Sequence, residues 1–286
     1  MPNVLILTDG TAQFTASTYA GMERVFVLPW RIQLPGQRPV ESGQIKLEGM
    51  PASLGENAGV RVLPPSVDDF FHALARLGKQ AHEIVVILTS AHLSPVMKNA
   101  QKAMQTVHCP AAIHLVDSQN VGAGLGLLVQ AAAQAVAQGE SGSAVCRFLR
   151  GLVPHTYSLF CVQSLTYLAH AGHLDLTQAM VGEMLNLMPF FMLENGSLAP
   201  VQKARSSRQL AETVNEFLAE FESLVHVAMV HGTAPFDQEA YSLAERLGNT
   251  PEGHLLSEHV LNGATAGIFG PRSLGISVME EMVDGV

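Results

Sequence analysis

Glu83-Ile-Val-Val-Ile-Leu-Thr-Ser90 is the stretch that decides the fold of this chain, and Ala91-His-Leu-Ser-Pro-Val-Met-Lys-Asn-Ala100 follows it directly. Residues Ile84–Leu88 form an unbroken apolar run, which is typical of a buried strand in a parallel sheet. The segment Ala91–Ala100 predicts a loop and a helix. In such sheets, ligands bind where strands end and helix N-termini present free N–H groups. We therefore expect Thr89 and Ser90 to lie at a ligand-binding edge.

Small polar residues end two further predicted strands. The segment Pro2–Thr11 contains the first strand, and Ala112–Ser118 contains another, which the glycine-rich segment Val121–Gly126 follows. Because the carboxyl ends of parallel strands meet at one edge of a sheet, these polar residues are predicted to lie together. We call this region the polar edge, and its residues are Thr8, Asp9, Thr11, Thr89, Ser90, Asp117 and Ser118.

The composition indicates a compact globular protein, and it excludes several classes of partner. The formal net charge is −9 and no cluster of Lys and Arg occurs, so we expect no nucleic-acid partner. No apolar stretch reaches about 18 to 20 residues without a polar residue, so we expect no membrane span. No secretory signal is recognised, and the three cysteines are odd in number and widely spaced, which together predict a cytoplasmic protein.

The order of patterns predicts two domains, which is also the usual organisation at a length of 286 residues. Alternating strands, loops and helices predict an α/β domain over residues 1–152, with an extended arm or hairpin around residues 31–65. A second α/β domain is predicted over residues 153–286. The predicted fold class is thus α/β, with two α/β domains, a mainly parallel three-layer sheet in the first and a ligand cleft or tunnel between them.

Local signals predict individual elements. Ser66, followed by acidic residues, predicts the N-cap of a helix that ends near Leu77. Glu194-Asn-Gly196, between two apolar runs, predicts a β-hairpin. Helices are also predicted over Arg208–Leu224 and Asp237–Leu247.

Six segments, in one order along the chain, resemble the motifs of a known bacterial family. They are Leu5–Thr11, Leu88–Ala100, Val116–Gly126, Leu165–Gly172, Val181–Pro189 and Gly196–Arg205. The family that they resemble is the DegV family. The resemblance implies a two-domain, non-enzymatic carrier that encloses a long-chain fatty acid as its ligand, has no other cofactor and presents the acid to a separate fatty acid kinase.

Two other hypotheses stay open. The same scaffold could bind a different amphiphilic ligand in place of a fatty acid. Alternatively, the protein is a small-molecule hydrolase or transferase that uses the strand-end Asp and Ser residues, although no nucleophile–base pair or nucleotide motif is visible.

The polar residues of the family's head-group site are altered in this chain. In the family, a Thr-Ser-Gln-Pro loop, a Ser-Ser loop and a His near the C-terminus bind the carboxylate. By the resemblance, Val62 and Leu63 stand in the places of Thr and Ser, and Ile268 stands in the place of the His. Ser90 and Ala91 match the Ser-Ser pair, which keeps one hydroxyl.

Two arginines stand where the family keeps small or neutral residues, namely Arg61 and Arg272. A guanidinium can hold a carboxylate or phosphate through two parallel hydrogen bonds. We therefore expect either that Arg61 or Arg272 replaces the missing donors or that the ligand is not an anion. The alternative for each arginine is a solvated surface position.

The remaining candidates each have two interpretations. The hydroxyl of Ser90 either donates to a ligand head group or caps the following helix. Methionines recur every four residues and either line an acyl tunnel or fill a core; they are Met180, Met184, Met188 and Met192.

No metal site is expected, because His170 and His173 share a helical face without a third ligand nearby. The predicted ligand-binding residues are Ser90, Thr89, Arg61, Ala91, Asp117, Ser118, Arg272, Ile268, Met184 and Met188.

Overall fold

The structure, a computed structural model, describes residues 3–55, 59–236 and 255–282. Strands and helices alternate over residues 61–137. In chain order the elements are β1 (Val4–Asp9), β2 (Val25–Leu28), β3 (Arg31–Gln33), β4 (Val40–Glu41), β5 (Arg61–Leu63), α1 (Val67–Leu77), β6 (Glu83–Leu88), α2 (Val96–Thr106), β7 (Ala112–Asp117), α3 (Ala123–Ala137), α4 (Gly142–Leu152), β8 (Thr156–Val162), α5 (Leu165–His170), α6 (Leu176–Met184), β9 (Met188–Glu194), β10 (Ser197–Ala204), α7 (Ser207–Ala219), β11 (Leu224–His231), β12 (Leu255–Val260), α8 (Gly263–Phe269) and β13 (Ser273–Glu280).

The first sheet is parallel and has a helical layer on each face, which confirms the predicted fold class. Its strand order is β2-β1-β6-β7, and all neighbours are parallel. Alternate residues of β1 and β6 point to opposite faces. One set packs on α1 and α2, and the other set packs on α3 and α4. Apolar residues therefore fill both faces, as the unbroken run in β6 predicts.

The second sheet has six strands in the order β10-β9-β8-β13-β11-β12, and only β11 and β12 are parallel to each other. Helix α7 covers one face of this sheet. Helix α3 packs against β1 and β6 of the first sheet and also against β8, β11 and β13 of the second. It lies between two sheets because it is apolar on almost all sides.

In the region of the predicted arm, strands β3, β4 and β5 form a small antiparallel sheet with the order β4-β3-β5. The loop that leads from β4 towards β5 docks on α5. The Tyr167 hydroxyl donates to the Pro51 carbonyl oxygen (2.7 Å), and the Leu54 N–H donates to Thr166 Oγ1 (2.7 Å). This segment thereby connects the first sheet with α5, which follows strand β8 of the second sheet.

The local predictions of a cap and a hairpin are confirmed. Ser66 Oγ accepts from the Asp69 N–H, and the Asp69 carboxylate accepts from the Ser66 N–H, which together form a capping box. Strands β9 and β10 form the predicted hairpin, in which Asn195 and Gly196 have φ of 50° and 81°. Both angles are positive, as a tight hairpin turn requires.

Two other helix predictions have different outcomes. Helix α7 ends at Ala219, before the predicted Leu224, because Leu224 begins strand β11. The helix predicted over Asp237–Leu247 lies outside the described residues. In the part of the chain that the structure describes, no helix is long and apolar enough to cross a membrane.

Candidate functional site

Within the polar edge, Thr11 and Thr89 surround the buried carboxylate of Asp9. The Thr89 N–H (2.8 Å) and hydroxyl (2.9 Å) donate to this carboxylate, and so do the Thr11 N–H (3.0 Å) and hydroxyl (2.8 Å). The indole N–H of Trp30 supplies a further bond (2.9 Å). The ends of β1 and β6 therefore meet as predicted, and Trp30, which follows β2, joins them. Because protein donors surround the Asp9 carboxylate, it joins the strand ends and the Trp30 loop into one structure.

Ser90 connects the polar edge to the second sheet. Its hydroxyl donates to the Gly196 carbonyl oxygen in the β9–β10 hairpin (2.7 Å) and accepts from the His92 N–H (3.2 Å). A Cβ on Gly196 would collide with Ser90 Oγ, so the hairpin tip approaches this closely only because residue 196 is glycine. The Ser90 hydroxyl thus serves a contact within the protein.

The neighbouring strand end also binds its own loop. The buried hydroxyl of Ser118 donates to the Asn120 carbonyl oxygen (3.0 Å) and accepts from the Asn120 N–H (3.1 Å). The Asp117 carboxylate accepts from the Gln119 N–H (2.9 Å) and, at 3.4 Å, from the Ala91 N–H. These are the short turn contacts that Ser and Asp commonly make at strand ends.

A cleft of about 390 Å³ opens next to the polar edge. Strand β5 and the preceding residue Val60, the loop after β6, helix α5 and helix α8 form its walls. Its volume falls within the range of about 300 to 1,000 Å³ that is usual for small-molecule sites. The lining residues are Trp30, Leu54, Val60, Arg61, Val62, Leu63, Pro64, Leu93, Ser94, Pro95, Tyr167, His170, Ala171, Gly267 and Ile268.

The chemistry of the cleft is mostly apolar. No carboxylate belongs to its described lining, and Arg61 supplies the only permanent charge there. His170 Nδ1 lies 2.8 Å from the Thr166 carbonyl oxygen, so this nitrogen carries the proton that it donates. Such a lining suits the alkyl chain of an amphiphile better than a polar substrate.

Helices α5 and α6 hold one wall of the cleft in place. The Glu183 carboxylate accepts from the Thr166 N–H (2.7 Å) and hydroxyl (2.8 Å) and also from the Ser53 hydroxyl. Burial, and then the nearby Glu183 charge, raise the pKa of the Tyr167 phenol well above its ordinary value. The phenol therefore keeps its proton and remains a donor to the Pro51 carbonyl oxygen.

His173, which is not part of the lining, supports the wall that the loop after β6 forms. Its Nε2 lies 3.2 Å from the carbonyl oxygen of Leu93, a residue of the cleft lining. Burial lowers the pKa of His173, and the bond to the Leu93 carbonyl opposes this only in part. The ring is therefore neutral near pH 7 and holds the loop after β6 as a hydrogen-bond donor.

Two of the predicted ligand-binding residues, Arg61 and Ile268, line the cleft. The structure places Met184 on the surface, where the residue is 81% exposed, and places Met188 in strand β9 against the core under α7. Arg272 is also exposed and outside the lining. The other five lie at the polar edge or beside it, and their contact with a ligand stays a prediction; they are Thr89, Ser90, Ala91, Asp117 and Ser118.

Sequence reasoning did not identify several residues of the cleft, including Trp30, Leu54, Leu93, Ser94 and Tyr167. Leu93 and Ser94 lie within a family-like motif, and Trp30 is the single tryptophan of the chain, which are the signals that could have drawn attention to them. Within the described residues, no group of three His, Cys, Asp or Glu side chains is placed to hold a metal ion.

Comparison with known proteins gives one consistent result. A family model described as "Uncharacterised protein, DegV family" matches residues 3–281. A DegV domain-containing protein of Streptomyces coelicolor is 28% identical over 285 residues, which cover 96% of this chain and 98% of the relative.

Solved structures show the same fold. One, titled "Fatty Acid Binding of a DegV family Protein from Thermus thermophilus", has a TM-score of 0.81 at 22% identity and covers 98% of this chain and 100% of its own. The Fatty Acid Kinase (Fak) B3 protein of Streptococcus pneumoniae, solved with linoleic acid, has a TM-score of 0.82 at 20% identity with the same coverage. Because the family model spans nearly the whole chain, this protein belongs to the DegV family.

Proposed function

We propose that this protein is a carrier that binds one long-chain fatty acid, or a similar single-chain amphiphile, in the cleft beside the polar edge. The observation that carries the proposal is the cleft itself, which is about 390 Å³ in volume and largely apolar, and which lies in a DegV fold. The solved relatives from Thermus thermophilus and Streptococcus pneumoniae, whose titles name fatty acid binding and linoleic acid, support the choice of ligand.

Binding without turnover is the proposed activity. The groups that a hydrolase or transferase would use, Asp9 and Ser90, bind other parts of the protein. The oxygens of the Asp9 carboxylate are occupied by protein donors, and a serine hydroxyl that donates to a carbonyl lacks an activating partner. No observation in the described residues favours the enzyme hypothesis.

A fatty acid kinase is the proposed partner. The name of the Streptococcus pneumoniae relative supports this choice. The exposed residues at the cleft, Arg61, His170 and Ala171, support it as well, since a second protein could reach a ligand head group beside them. The proposed compartment is the cytoplasm, which the free thiols of Cys109, Cys146 and Cys161 support.

Native mass spectrometry of protein purified from cells tests the proposal. We expect each chain to carry one ligand, and denaturing extraction should identify a long-chain acid. The same protein, stripped of lipid, should take up palmitic acid with one-to-one stoichiometry. Protein that is purified empty and does not bind palmitic acid or its alcohol would contradict the carrier function.

A further inference from the structure

The side-chain polar groups that the cleft can offer to a ligand are few. Trp30 and Tyr167 are part of the lining, but their N–H and O–H groups donate to Asp9 and to the Pro51 carbonyl oxygen. The Nδ1–H of His170 donates to the Thr166 carbonyl oxygen. Arg61 and the hydroxyl of Ser94 therefore remain as the donors of the described lining.

Arg61 differs from its neighbour Arg31 in its electrostatic environment. Arg31, on the adjacent strand β3, lies 2.7 Å from the Asp69 carboxylate, which neutralises it. Arg61 is exposed and forms no ion pair with a described residue. An unpaired cation beside an apolar wall without carboxylates attracts anions more strongly than a cation in bulk water does.

The apolar surface that Val62, Leu93 and Ile268 form in the cleft has no side-chain donor for an anion. Val62 packs directly against α8, where a Cβ on Gly267 would lie 2.8 Å from Val62 Cγ1. Ile268 and Leu93 are 2% and 6% exposed and continue this apolar surface. A carboxylate placed there would lose its hydration without gaining a hydrogen bond, which is strongly unfavourable. This surface is suited to methylene groups.

Ser94 completes the polar side of the cleft. Its hydroxyl oxygen accepts a long hydrogen bond from the Val96 N–H (3.4 Å) at the start of α2, and no described residue accepts its proton. Ser94 is 7% exposed, so an acceptor that enters the cleft gains this proton with little competition from water. Ser94 lines the same cleft as Arg61.

We propose that Arg61 binds the carboxylate of the fatty acid at the exposed side of the cleft, with the Ser94 hydroxyl as second donor. The alkyl chain lies on Val62, Leu93 and Ile268. The polar edge takes no part in recognition of the head group. This inference rests on the proposed function and adds to it the ligand's direction in the cleft, which leaves the carboxylate at the surface where a partner can reach it.

The test compares palmitic acid with cetyl alcohol, which has the same chain and no charge, on lipid-free protein at neutral pH. The variants are Arg61→Gln and Arg61→Lys, with Arg272→Gln as the matched control for an exposed arginine outside the lining. We expect the wild type to prefer the acid at least about tenfold, as a charge-assisted bidentate contact implies. Arg61→Gln should lose this preference and keep its affinity for the alcohol. Arg61→Lys should keep part of the preference, because it retains the charge without the bidentate geometry.

The outcomes separate this inference from the carrier function. Equal binding of acid and alcohol by the wild type would overturn the inference and leave the carrier function standing. The same conclusion follows if Arg61→Gln still prefers the acid, or if Arg272→Gln loses the preference instead. Binding of neither compound by the wild type would overturn the carrier function itself.

Discussion

The polar edge and the cleft are neighbours, yet their side chains differ in what they can offer a ligand. At the polar edge, the carboxylate of Asp9 and the hydroxyl of Ser90 are bound to protein groups. In the cleft, Arg61 has no ionic partner among the described residues, and the walls are apolar. Trp30 connects the two regions, since its indole N–H donates to Asp9 at the polar edge and the residue lines the cleft. Polar residues that cluster at strand ends can therefore serve to hold segments of the protein together. The groups that remain able to bind a ligand then lie in the adjacent cleft.

This comparison predicts that the two regions respond to substitution in opposite ways. Changes at the polar edge should lower the free energy of unfolding and leave ligand affinity unchanged in the folded protein. Changes of the cleft side chains that make few contacts with the protein, namely Arg61, Ser94 and Ala171, should lower affinity and leave stability almost unchanged. The four substitutions that follow are ordered by expected effect.

Asp9→Ala should cause the largest loss of stability, at least about 3 kcal/mol, because the Thr89 N–H and the Trp30 indole N–H both lose a buried acceptor. Urea unfolding followed by circular dichroism measures the loss. The matched control is Asp117→Ala, at a neighbouring strand end that is only half buried, where we expect less than about 1.5 kcal/mol. Equal losses in the two variants would show that the Asp9 network is no stronger than an ordinary turn contact.

The predictable part of the molecule is the part that local patterns specify. The apolar run of β6 predicts a buried parallel strand, Ser66 predicts a cap, and Asn195-Gly196 predicts a hairpin, because each depends on neighbours in the chain. The residues of the cleft come together through contacts between distant segments. Tyr167 binds Pro51 across 116 positions, and Leu54 binds Thr166 across 112. No periodicity encodes such docking, so Arg61 could be singled out only by resemblance, and Trp30 and Tyr167 were missed.

Gly196→Ala should be the second most damaging change, at about 2 to 3 kcal/mol. An alanine at φ of 81° is strained, and its Cβ would displace the Ser90 hydroxyl from the hairpin tip. Gly36→Ala is the matched control, because Gly36 also has positive φ (71°) but has nothing near its missing Cβ. It should show the backbone cost alone, about 1 to 2 kcal/mol. Identical losses in thermal or urea unfolding would mean that the contact with Ser90 contributes nothing.

Ala171→Trp should separate affinity from stability. Ala171 is exposed after the last residue of α5 and lines the cleft, so an indole there should fill the opening while the core stays intact. We expect palmitic acid to bind at least about tenfold more weakly and the unfolding free energy to change by less than about 0.5 kcal/mol. Ala137→Trp, at the exposed end of α3, introduces the same side chain away from the cleft and should alter neither quantity. Unaltered affinity in Ala171→Trp would place the ligand elsewhere.

Ser90→Ala should have the smallest effect. Together with Ser94→Ala, it compares the polar edge and the cleft within the single loop that follows β6. Ser90 and Ser94 are four residues apart, but Ser90 donates to the Gly196 carbonyl oxygen, whereas no described residue accepts the Ser94 proton. Ser90→Ala should therefore lower the free energy of unfolding by about 1 kcal/mol, the usual net value of one hydrogen bond, without changing affinity for palmitic acid. Ser94→Ala should show the reverse, with stability within about 0.5 kcal/mol of the wild type and affinity about fivefold weaker. Isothermal titration and urea unfolding on the same preparations measure both quantities. If Ser90→Ala lost affinity and Ser94→Ala did not, the head group would lie at the polar edge, as the strand-end motif alone suggests, and the cleft would hold only the alkyl chain.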